Sequence, residues 1–192
     1  QVWYEKRANN TEVFSVRQMA DPKLPIAPKF GGMTFAKVPT AATNVFFGEW
    51  APRKGNPPQN STDLNMGDSR RTVWYVGDNP TTNMPNLVNA QYNVLGVNKH
   101  TPGQNDFYTG VLTANYGTGS GSLTGTLSRP GDNINFAGTN IRSNGTFDNG
   151  KANEHISGRF YGSGAEALAG IVDRTGVDRD IAFGGHKQNS KP

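Results

Sequence analysis

The feature of this sequence that most restricts its fold is a recurring short run in which apolar and polar residues alternate and a glycine occupies one of the apolar positions. The C-terminal stretch contains three such runs in succession, marked by Gly158, Gly170 and Gly185. Alternation with a period of two is typical of a half-buried β-strand. A glycine on the inward side leaves space for a large neighbour and lets the strand bend, which a small closed barrel requires. The pattern therefore predicts a closed β-barrel.

Eight strand-like runs follow one another from residue 70 onward, and most are joined by short segments rich in turn residues, such as RPGDN and SNG. Strands joined by short turns pair antiparallel with their neighbours, so these runs predict an up-and-down meander. Eight strands can close into a barrel that is filled by its own side chains. The predicted strands comprise residues 71–77, 88–98, 107–116, 122–129, 134–142, 154–161, 167–173 and 180–187.

Residues 1–69 differ from the rest of the chain in the pattern of their apolar residues and prolines. Short apolar patches alternate with proline-rich segments such as DPKLPIAPKF, and none of them keeps a helical period for two turns. We therefore expect a small, irregular ligand-binding region of a few short strands and long loops, followed by the barrel in residues 70–192. The boundary is predicted at the polar segment 52–69, which is rich in proline and glycine. The predicted fold class is thus all-β, in two parts.

Eight aromatic residues fall in the N-terminal region, which is a large number for a segment with so little regular structure. Two interpretations stay open: the aromatics form a small core that packs onto the barrel, or they clamp a flat ligand. The eight residues are Trp3, Tyr4, Phe14, Phe30, Phe35, Phe46, Phe47 and Trp50.

Composition excludes several classes of function. With no cysteine, the chain forms no disulfide, thiolate metal site or cysteine nucleophile. It also lacks the cysteine that carries the lipid of a bacterial lipoprotein, so we expect a secreted form or a trimmed chain. No apolar run reaches the ~20 residues that span a bilayer. The net charge is +4, but the lysines and arginines are scattered, so we expect no nucleic-acid partner.

Enzymatic function is not predicted either. The sequence contains no zinc-protease helix motif, nucleophile elbow or Walker loop. None of its carboxylates forms the spaced pair that glycoside hydrolysis uses. We therefore expect a binding protein.

Several segments resemble known families of bacterial surface proteins. GRFYGSGAEALAGIV, from residue 158, and IAFGGHKQ, from residue 181, resemble the closing strands of the eight-stranded barrels in transferrin-binding protein B and factor H-binding protein. FFGEWAPRKG (46–55), VWYVGDNPTTNMPN (73–86) and FYTGVLTANYGTG (107–119) resemble the hemophilins, secreted haem-binding proteins that are exported through a Slam-type outer-membrane channel. Most of the chain, from the start of FFGEWAPRKG to the end of IAFGGHKQ, is covered by these resemblances.

The resemblance to hemophilins implies a hemophore, which captures extracellular b-type haem, with host haem proteins as a source, and passes it to a TonB-dependent outer-membrane receptor. It also implies a secreted or cell-surface location and a Slam-type exporter. The alternative, implied by the other relatives, is a surface receptor or adhesin that binds a host protein such as transferrin or a complement factor through a flat aromatic patch. Transport of a small metal ion is less favoured, because no histidine has a second histidine or a carboxylate cluster near it.

Three histidines could provide an axial ligand to haem iron, since a neutral imidazole is the commonest such donor. In an up-and-down meander, His100 follows the second predicted strand and faces the N-terminal region from a loop. His155 and His186 lie out of phase with the apolar residues of their strands, so both are expected to point to solvent. Under the resemblance to hemophilins, His100 is the predicted axial ligand. Without that resemblance, an exposed loop histidine is the simpler interpretation.

Haem also requires apolar contacts on its faces and cations near its propionates. In the segments that resemble hemophilins, the candidates for apolar contacts are Phe46, Phe47, Trp50, Trp74 and Tyr75, and the candidate cations in or near them are Arg53, Lys54 and Lys99. The same aromatics are equally suited to pack the junction between the two parts of the chain. For a sixth ligand, a water molecule, an open position and the side chains of Tyr4, Met19, Met33, Met66 and Met84 stay open.

Overall fold

The computed structural model describes residues 1–19, 30–55 and 61–189, and within these ranges the protein is built almost entirely from β-strands. Fourteen strands occur there, with two single-turn 3-10 helices, Ala8–Asn10 and Val177–Arg179, and no α-helix. No helix in these ranges is long and apolar enough to cross a membrane. The predicted all-β class is confirmed.

The first five strands form an open antiparallel sheet, which we call the N-terminal sheet, and each strand pairs with the next along the chain. The strands are β1 (Val2–Lys6), β2 (Glu12–Arg17), β3 (Gly32–Lys37), β4 (Val45–Ala51) and β5 (Thr72–Gly77). The prediction that residues 71–77 form the first barrel strand is wrong, because β5 pairs with β4. Apolar residues occupy both phases of β5, so its pattern alone does not decide which sheet it joins. The division of the chain at residues 69 and 70 stays a prediction.

The remaining nine strands close into a barrel with eight positions. They are β6 (Leu87–Val97), β7 (Tyr108–Gly117), β8 (Ser120–Arg129), β9 (Asp132–Asn135), β10 (Thr139–Arg142), β11 (Thr146–Asp148), β12 (His155–Tyr161), β13 (Ala167–Asp173) and β14 (Ile181–Lys187). Pairing of β14 with β6 closes the barrel, and β9 and β10 pair with the two ends of β8, so that they share one position. The predicted eight-stranded antiparallel barrel is confirmed.

Two details of the barrel differ from the predicted strands. The predicted strand at 134–142 is divided into β9 and β10 by a turn, in which Thr139 donates a hydrogen bond to the carbonyl of Phe136 at 3.0 Å and Gly138 has a φ of 87°. No strand lies between β14 and β6, where the prediction placed residues 71–77, because these two strands pair directly. The eighth barrel strand is instead β11, which has only three residues and lies between β10 and β12. A strand of that length is too short to show an alternating pattern.

Glycines on the inward side of the barrel make room for large side chains, as the sequence predicts. A Cβ atom at Gly158 would lie 2.6 Å from the ring of Phe147, and one at Gly170 would lie 2.7 Å from the ring of Phe183. Both rings belong to a core whose members all come from the barrel and the segment that leads into it. The barrel therefore fills its own interior.

A second hydrophobic core lies between the N-terminal sheet and the outside of the barrel. Small residues on β13 and β14, such as Ala169 and Ala182, leave room there for Ala36 and Phe47 of the sheet. The contact is close, because a Cβ atom at Gly184 would lie 2.4 Å from the ring of Phe47. One face of the sheet, the inner face, thus covers part of the barrel, and the outer face is turned away from it.

Candidate functional site

His100 lies in the loop after β6 and is buried, with 1% of its surface exposed. Its Nδ1 is hydrogen-bonded to Asp106, its Nε2 lies 2.7 Å from a carboxylate oxygen of Glu5 in β1, and its ring stacks on Phe107 at 4.2 Å between centroids. A neutral imidazole carries a proton on only one nitrogen. With a carboxylate at each nitrogen, His100 is held as the imidazolium.

The three charged groups perturb one another. Burial disfavours the charged imidazole, but the hydrogen bonds to Asp106 and Glu5 outweigh it and raise the pKa of His100. Burial also disfavours the charged carboxylates, yet the hydrogen bond from His100 and smaller contributions lower the pKa of both Glu5 and Asp106. We call these three residues the His100 cluster. All three pKa shifts favour the charged forms, and the cluster joins the N-terminal sheet to the barrel.

Glu49 of β4 binds the main chain of the loop after β6 and so holds this loop against the N-terminal sheet. It is 1% exposed, forms an ion pair with the buried Arg71, and accepts hydrogen bonds from the main-chain N–H groups of Lys99 and His100, both at 2.8 Å. Arg17 of β2 donates a hydrogen bond to the carbonyl of His100 at 3.0 Å. The loop is therefore held through its main chain as well as through the side chain of His100.

This environment bears on the role predicted for His100. The residue faces the N-terminal region, as expected, but it is not an exposed loop histidine. Both ring nitrogens are engaged, so coordination of iron would first require Glu5 or Asp106 to be displaced. The role of His100 as an axial ligand stays a prediction.

The five aromatic residues selected from the sequence divide between the two faces of the N-terminal sheet. Phe47 and Tyr75 lie in or against the core that the inner face shares with the barrel. Phe46, Trp50 and Trp74 lie on the outer face, because successive residues of a strand point to opposite sides of a sheet. The structure thus brings three of the five together and separates the other two from them.

The outer face carries a series of aromatic rings across the sheet. Ring centroids lie 5.3 Å apart for Tyr4 and Phe14, 5.2 Å for Phe14 and Phe35, and 6.3 Å for Phe35 and Trp74. Tyr4, at the free edge of the sheet, is 56% exposed. Met33, which like Tyr4 is one of the side chains left open as an iron ligand, lies on this side too. We call the outer surface formed by Tyr4, Phe14, Phe35, Phe46, Trp50 and Trp74 the aromatic face.

The cations selected from the sequence lie elsewhere. Lys54 and Lys99 line a small cavity of about 220 Å³ beside His100, and none of the residues that line it belongs to the aromatic face. Arg53 does not line this cavity and pairs through its main chain with Leu64. The structure therefore places Lys54 and Lys99 in a cavity that is separate from the aromatic face.

A larger cavity, an open groove of about 820 Å³, lies between the N-terminal sheet and the barrel. Residues 9–10 and 39–41, from the connections after β1 and β3, line it on the side of the sheet. Residues 88–91 and 186–189, at the start of β6 and the end of β14, line it on the side of the barrel. We call it the junction groove.

His186 lines the junction groove, although the sequence predicts that it points to solvent. It lies on the outward side of β14 together with Ala182 and Gly184, but the N-terminal sheet covers that side. Its Nδ1 is buried without a hydrogen-bond partner in the described part of the chain, and burial lowers the pKa of the ring. One signal in the sequence could have revealed this: outward residues that are small and apolar indicate a covered face.

Comparison with models of protein families gives a match over more than half of the chain. Residues 82–187 match the family described as the HphA C-terminal domain. The matched segment begins just before β6 and ends with β14, so it contains the complete barrel and His186.

Proposed function

The chain belongs to the HphA C-terminal domain family, and on this premise we propose that it is a hemophilin-like hemophore, a secreted protein that captures haem outside the cell. The observation that carries this proposal is the match of residues 82–187 to that family, and the junction groove is a candidate place for the ligand. Its volume of about 820 Å³ falls within the ~300–1,000 Å³ that is usual for small-molecule sites. Both parts of the chain contribute to its walls, so a ligand there would contact the sheet and the barrel together.

The lining of the junction groove is mostly polar, and Pro39, Ala41, Val88 and Ala90 are its apolar members. His186 also lines the groove, but the Nδ1 atom of its ring, which has no hydrogen-bond partner in the described residues, is buried. Haem, when bound, supplies an apolar ring, two carboxylates and an iron that accepts an axial nitrogen donor. Because the sequence contains no cysteine, it cannot form the thioether bonds of a c-type haem, and the resemblance to hemophilins implies a b-type haem.

The steps before and after haem binding are supported by the resemblance to hemophilins alone. We propose export through a Slam-type outer-membrane channel, capture of haem released by host haem proteins, and delivery to a TonB-dependent outer-membrane receptor. None of these steps requires catalysis by the chain, which fits a family of binding proteins.

An absorption titration with hemin tests the proposed function. We expect a sharpened and shifted Soret band that saturates at one hemin per chain. Heat-denatured protein at the same concentration is the control for nonspecific adsorption. A wild-type spectrum that stays identical to that of free hemin at every ratio would exclude haem capture.

One observation favours a second candidate, a receptor for a host protein. The aromatic face is flanked by exposed apolar side chains, among them Val2 at 69% and Val76 at 54% exposure, and exposed apolar patches commonly mark protein-binding surfaces. Surface plasmon resonance with immobilised transferrin and complement factor H tests this candidate. Binding that Trp74→Ser abolishes and His186→Ala leaves unchanged would support it. If neither protein binds, transferrin and complement factor H are excluded as host partners of this chain.

A further inference from the structure

The strand β1 forms one edge of the N-terminal sheet, and no strand in the described part of the chain pairs with its open side. Hydrogen bonds at the two ends of β1 show which main-chain groups it shares with β2. Gln1 and Arg17 exchange two hydrogen bonds of 2.9 Å, and Arg7 donates one of 2.8 Å to the carbonyl of Thr11. Hydrogen-bonded pairs alternate along an antiparallel ladder. The odd-numbered residues of β1 therefore bond to β2.

The even-numbered residues of β1 direct their main-chain groups to the open side instead. Val2, Tyr4 and Lys6 are all exposed, and each presents one N–H and one carbonyl there. An exposed edge of this kind is a template for another strand, and natural proteins commonly protect it with proline, a bulge or several charges. β1 contains neither proline nor a bulge, and one of the three outward residues is charged. The edge is therefore suited to accept a strand.

The same edge interrupts the aromatic face. Tyr4 is the first ring of the series that crosses the sheet, and it is 56% exposed. Val2 beside it is 69% exposed and lies opposite Val16 of β2, which is exposed as well. A strand added to β1 would continue the outer face and cover part of these side chains. Such a strand must offer apolar contacts to Val2 and Tyr4 and must carry no positive charge opposite Lys6.

A second copy of β1 meets these requirements. When two copies pair antiparallel with their centre at Tyr4, the two Tyr4 residues lie opposite each other and Val2 lies opposite Lys6. All three outward residues then find hydrogen-bonding partners, whereas a register shifted by two residues leaves one of them unpaired in each copy. The aliphatic part of the Lys6 side chain can cover Val2. The edge is thus complementary to itself.

Charges and space agree with this pairing. On the inner side Trp3 would lie opposite Glu5, so no residue of β1 directly opposes one of like charge. The Glu5 residues of the two copies become diagonal neighbours, but each is already paired with Arg7 and with His100 of its own chain. The barrel strands β13 and β14 lie mainly against β4 and β5. The bulk of each barrel is therefore distant from the shared edge.

From this geometry we propose that β1 is a self-association edge, through which two chains pair antiparallel around a twofold axis at Tyr4. The interface uses the same surface of both copies. It joins the two N-terminal sheets into one and makes a single surface of the two aromatic faces. The contact of two short strands is small, so the association should depend on concentration. This inference does not depend on haem binding, and it adds a partner, a second copy of this chain.

Sedimentation velocity over a wide range of protein concentration tests the inference, with Tyr4→Pro and Tyr4→Ala compared with the wild type. Both variants lack the ring. Tyr4→Pro also removes the N–H that faces the open side, but it leaves the hydrogen bonds of β1 to β2 in place. We expect a dimer for the wild type, with a dissociation constant that is about tenfold or more higher in Tyr4→Pro than in Tyr4→Ala. A wild type that stays monomeric at every concentration, or equal constants for the two variants, would overturn the inference.

A cysteine cross-link tests the register and does not depend on the stability of the proline variant. The chain contains no cysteine, so Tyr4→Cys introduces a single thiol. Opposite residues of a hydrogen-bonded antiparallel pair have Cα atoms ~5.5 Å apart, which a disulfide can span. Thr72→Cys, at an exposed position on β5 at the other end of the sheet, is the matched control. Under mild oxidation by dissolved oxygen we expect covalent dimers of Tyr4→Cys well before those of Thr72→Cys, and equal rates would contradict the inference.

Discussion

The N-terminal sheet and the barrel bury their apolar residues in different ways. The barrel closes on itself, so its large side chains fill an interior to which the sheet contributes nothing. The sheet is open and buries one face against the barrel, and it leaves aromatic residues on the other. A closed sheet has no free edge and can act as a self-sufficient scaffold. The open sheet depends on that scaffold for the burial of its inner face. The N-terminal sheet also forms the aromatic face and one side of the junction groove, which are the two features suited to binding.

Two kinds of contact join the sheet to the barrel. The centre of the contact is apolar and closely packed, with Phe47 against Gly184. Beside it lie charged groups that surround the loop after β6, namely the His100 cluster and the buried pair of Glu49 and Arg71. If the barrel is stable by itself and the N-terminal sheet depends on it, substitutions at these contacts should destabilise the sheet more than the barrel.

The largest effect is expected for Glu49→Ala. The substitution leaves the buried guanidinium of Arg71 without its carboxylate and two main-chain N–H groups without their acceptor. Breaking a buried ion pair in this way costs about 3–5 kcal/mol, so we expect a fall of that size in the free energy of unfolding measured with urea. The control is Asp178→Ala, which removes an exposed ion pair with Lys99 and should cost no more than ~1 kcal/mol. Equal effects for the two variants would contradict the structural role of Glu49.

A smaller effect is expected for Gly184→Ala. The added methyl group would lie 2.4 Å from one atom of the Phe47 ring and 2.6 Å from another, so the sheet or the ring must shift. Overpacking of this kind costs about 1–3 kcal/mol. Gly55→Ala is the control, because no atom lies within 4 Å of the added methyl group. We expect limited proteolysis to cut the N-terminal sheet of Gly184→Ala first, and early cuts in the barrel would contradict the division into scaffold and dependent sheet.

The smallest effect is expected from pH. The pKa of His100 is raised above its ordinary 6.5, so its contribution to stability is complete below that value and is lost as pH rises through the raised pKa. The pKa values of Glu5 and Asp106 are lowered, so their contributions are lost only as pH falls below about 4. The window in which the cluster stabilises the junction most therefore lies between about pH 5 and 6.5.

His100→Gln tests this dependence. Urea unfolding between pH 5 and 9 should show a loss of stability on the alkaline side for the wild type and a weaker loss for the variant. Arg7, which pairs with Glu5, keeps its charge over this range and so does not add to the change. The lowered pKa of His186 acts in the opposite sense, because its neutral form becomes more favoured as pH rises. His155→Gln is the control, and an equal alkaline loss in all three proteins would contradict the role of the cluster.

Much of the fold could be predicted from the sequence, because alternation and inward glycines such as Gly158 are local signals. The assignment of β5 failed because its apolar residues fall in both phases, and β11 was missed because three residues show no period. One error added a strand to the predicted barrel and the other removed one, so the predicted number of eight is correct although one predicted strand belongs to the N-terminal sheet.

The candidate site was harder to predict, because it depends on which surfaces face each other. Alternation alone implies that Phe46 and Phe47 point to opposite sides of the sheet. The sequence therefore already argues against one site that contains both rings. The carboxylates around His100 come from residues 5 and 106, and nothing in the local sequence pairs them. The outward side of His186 was identified correctly, but only the packing of the N-terminal sheet turns that side into the wall of a groove.

Hydrogen exchange with and without hemin, read by mass spectrometry, most directly tests the claim that the junction of sheet and barrel is the ligand site. We predict that hemin slows exchange in residues 8–10, 39–41, 87–91 and 186–189 and leaves β2 and β3 unchanged. Slowed exchange confined to β1, β2 and β3, with no change around the junction groove, would contradict this claim and place the haem on the aromatic face.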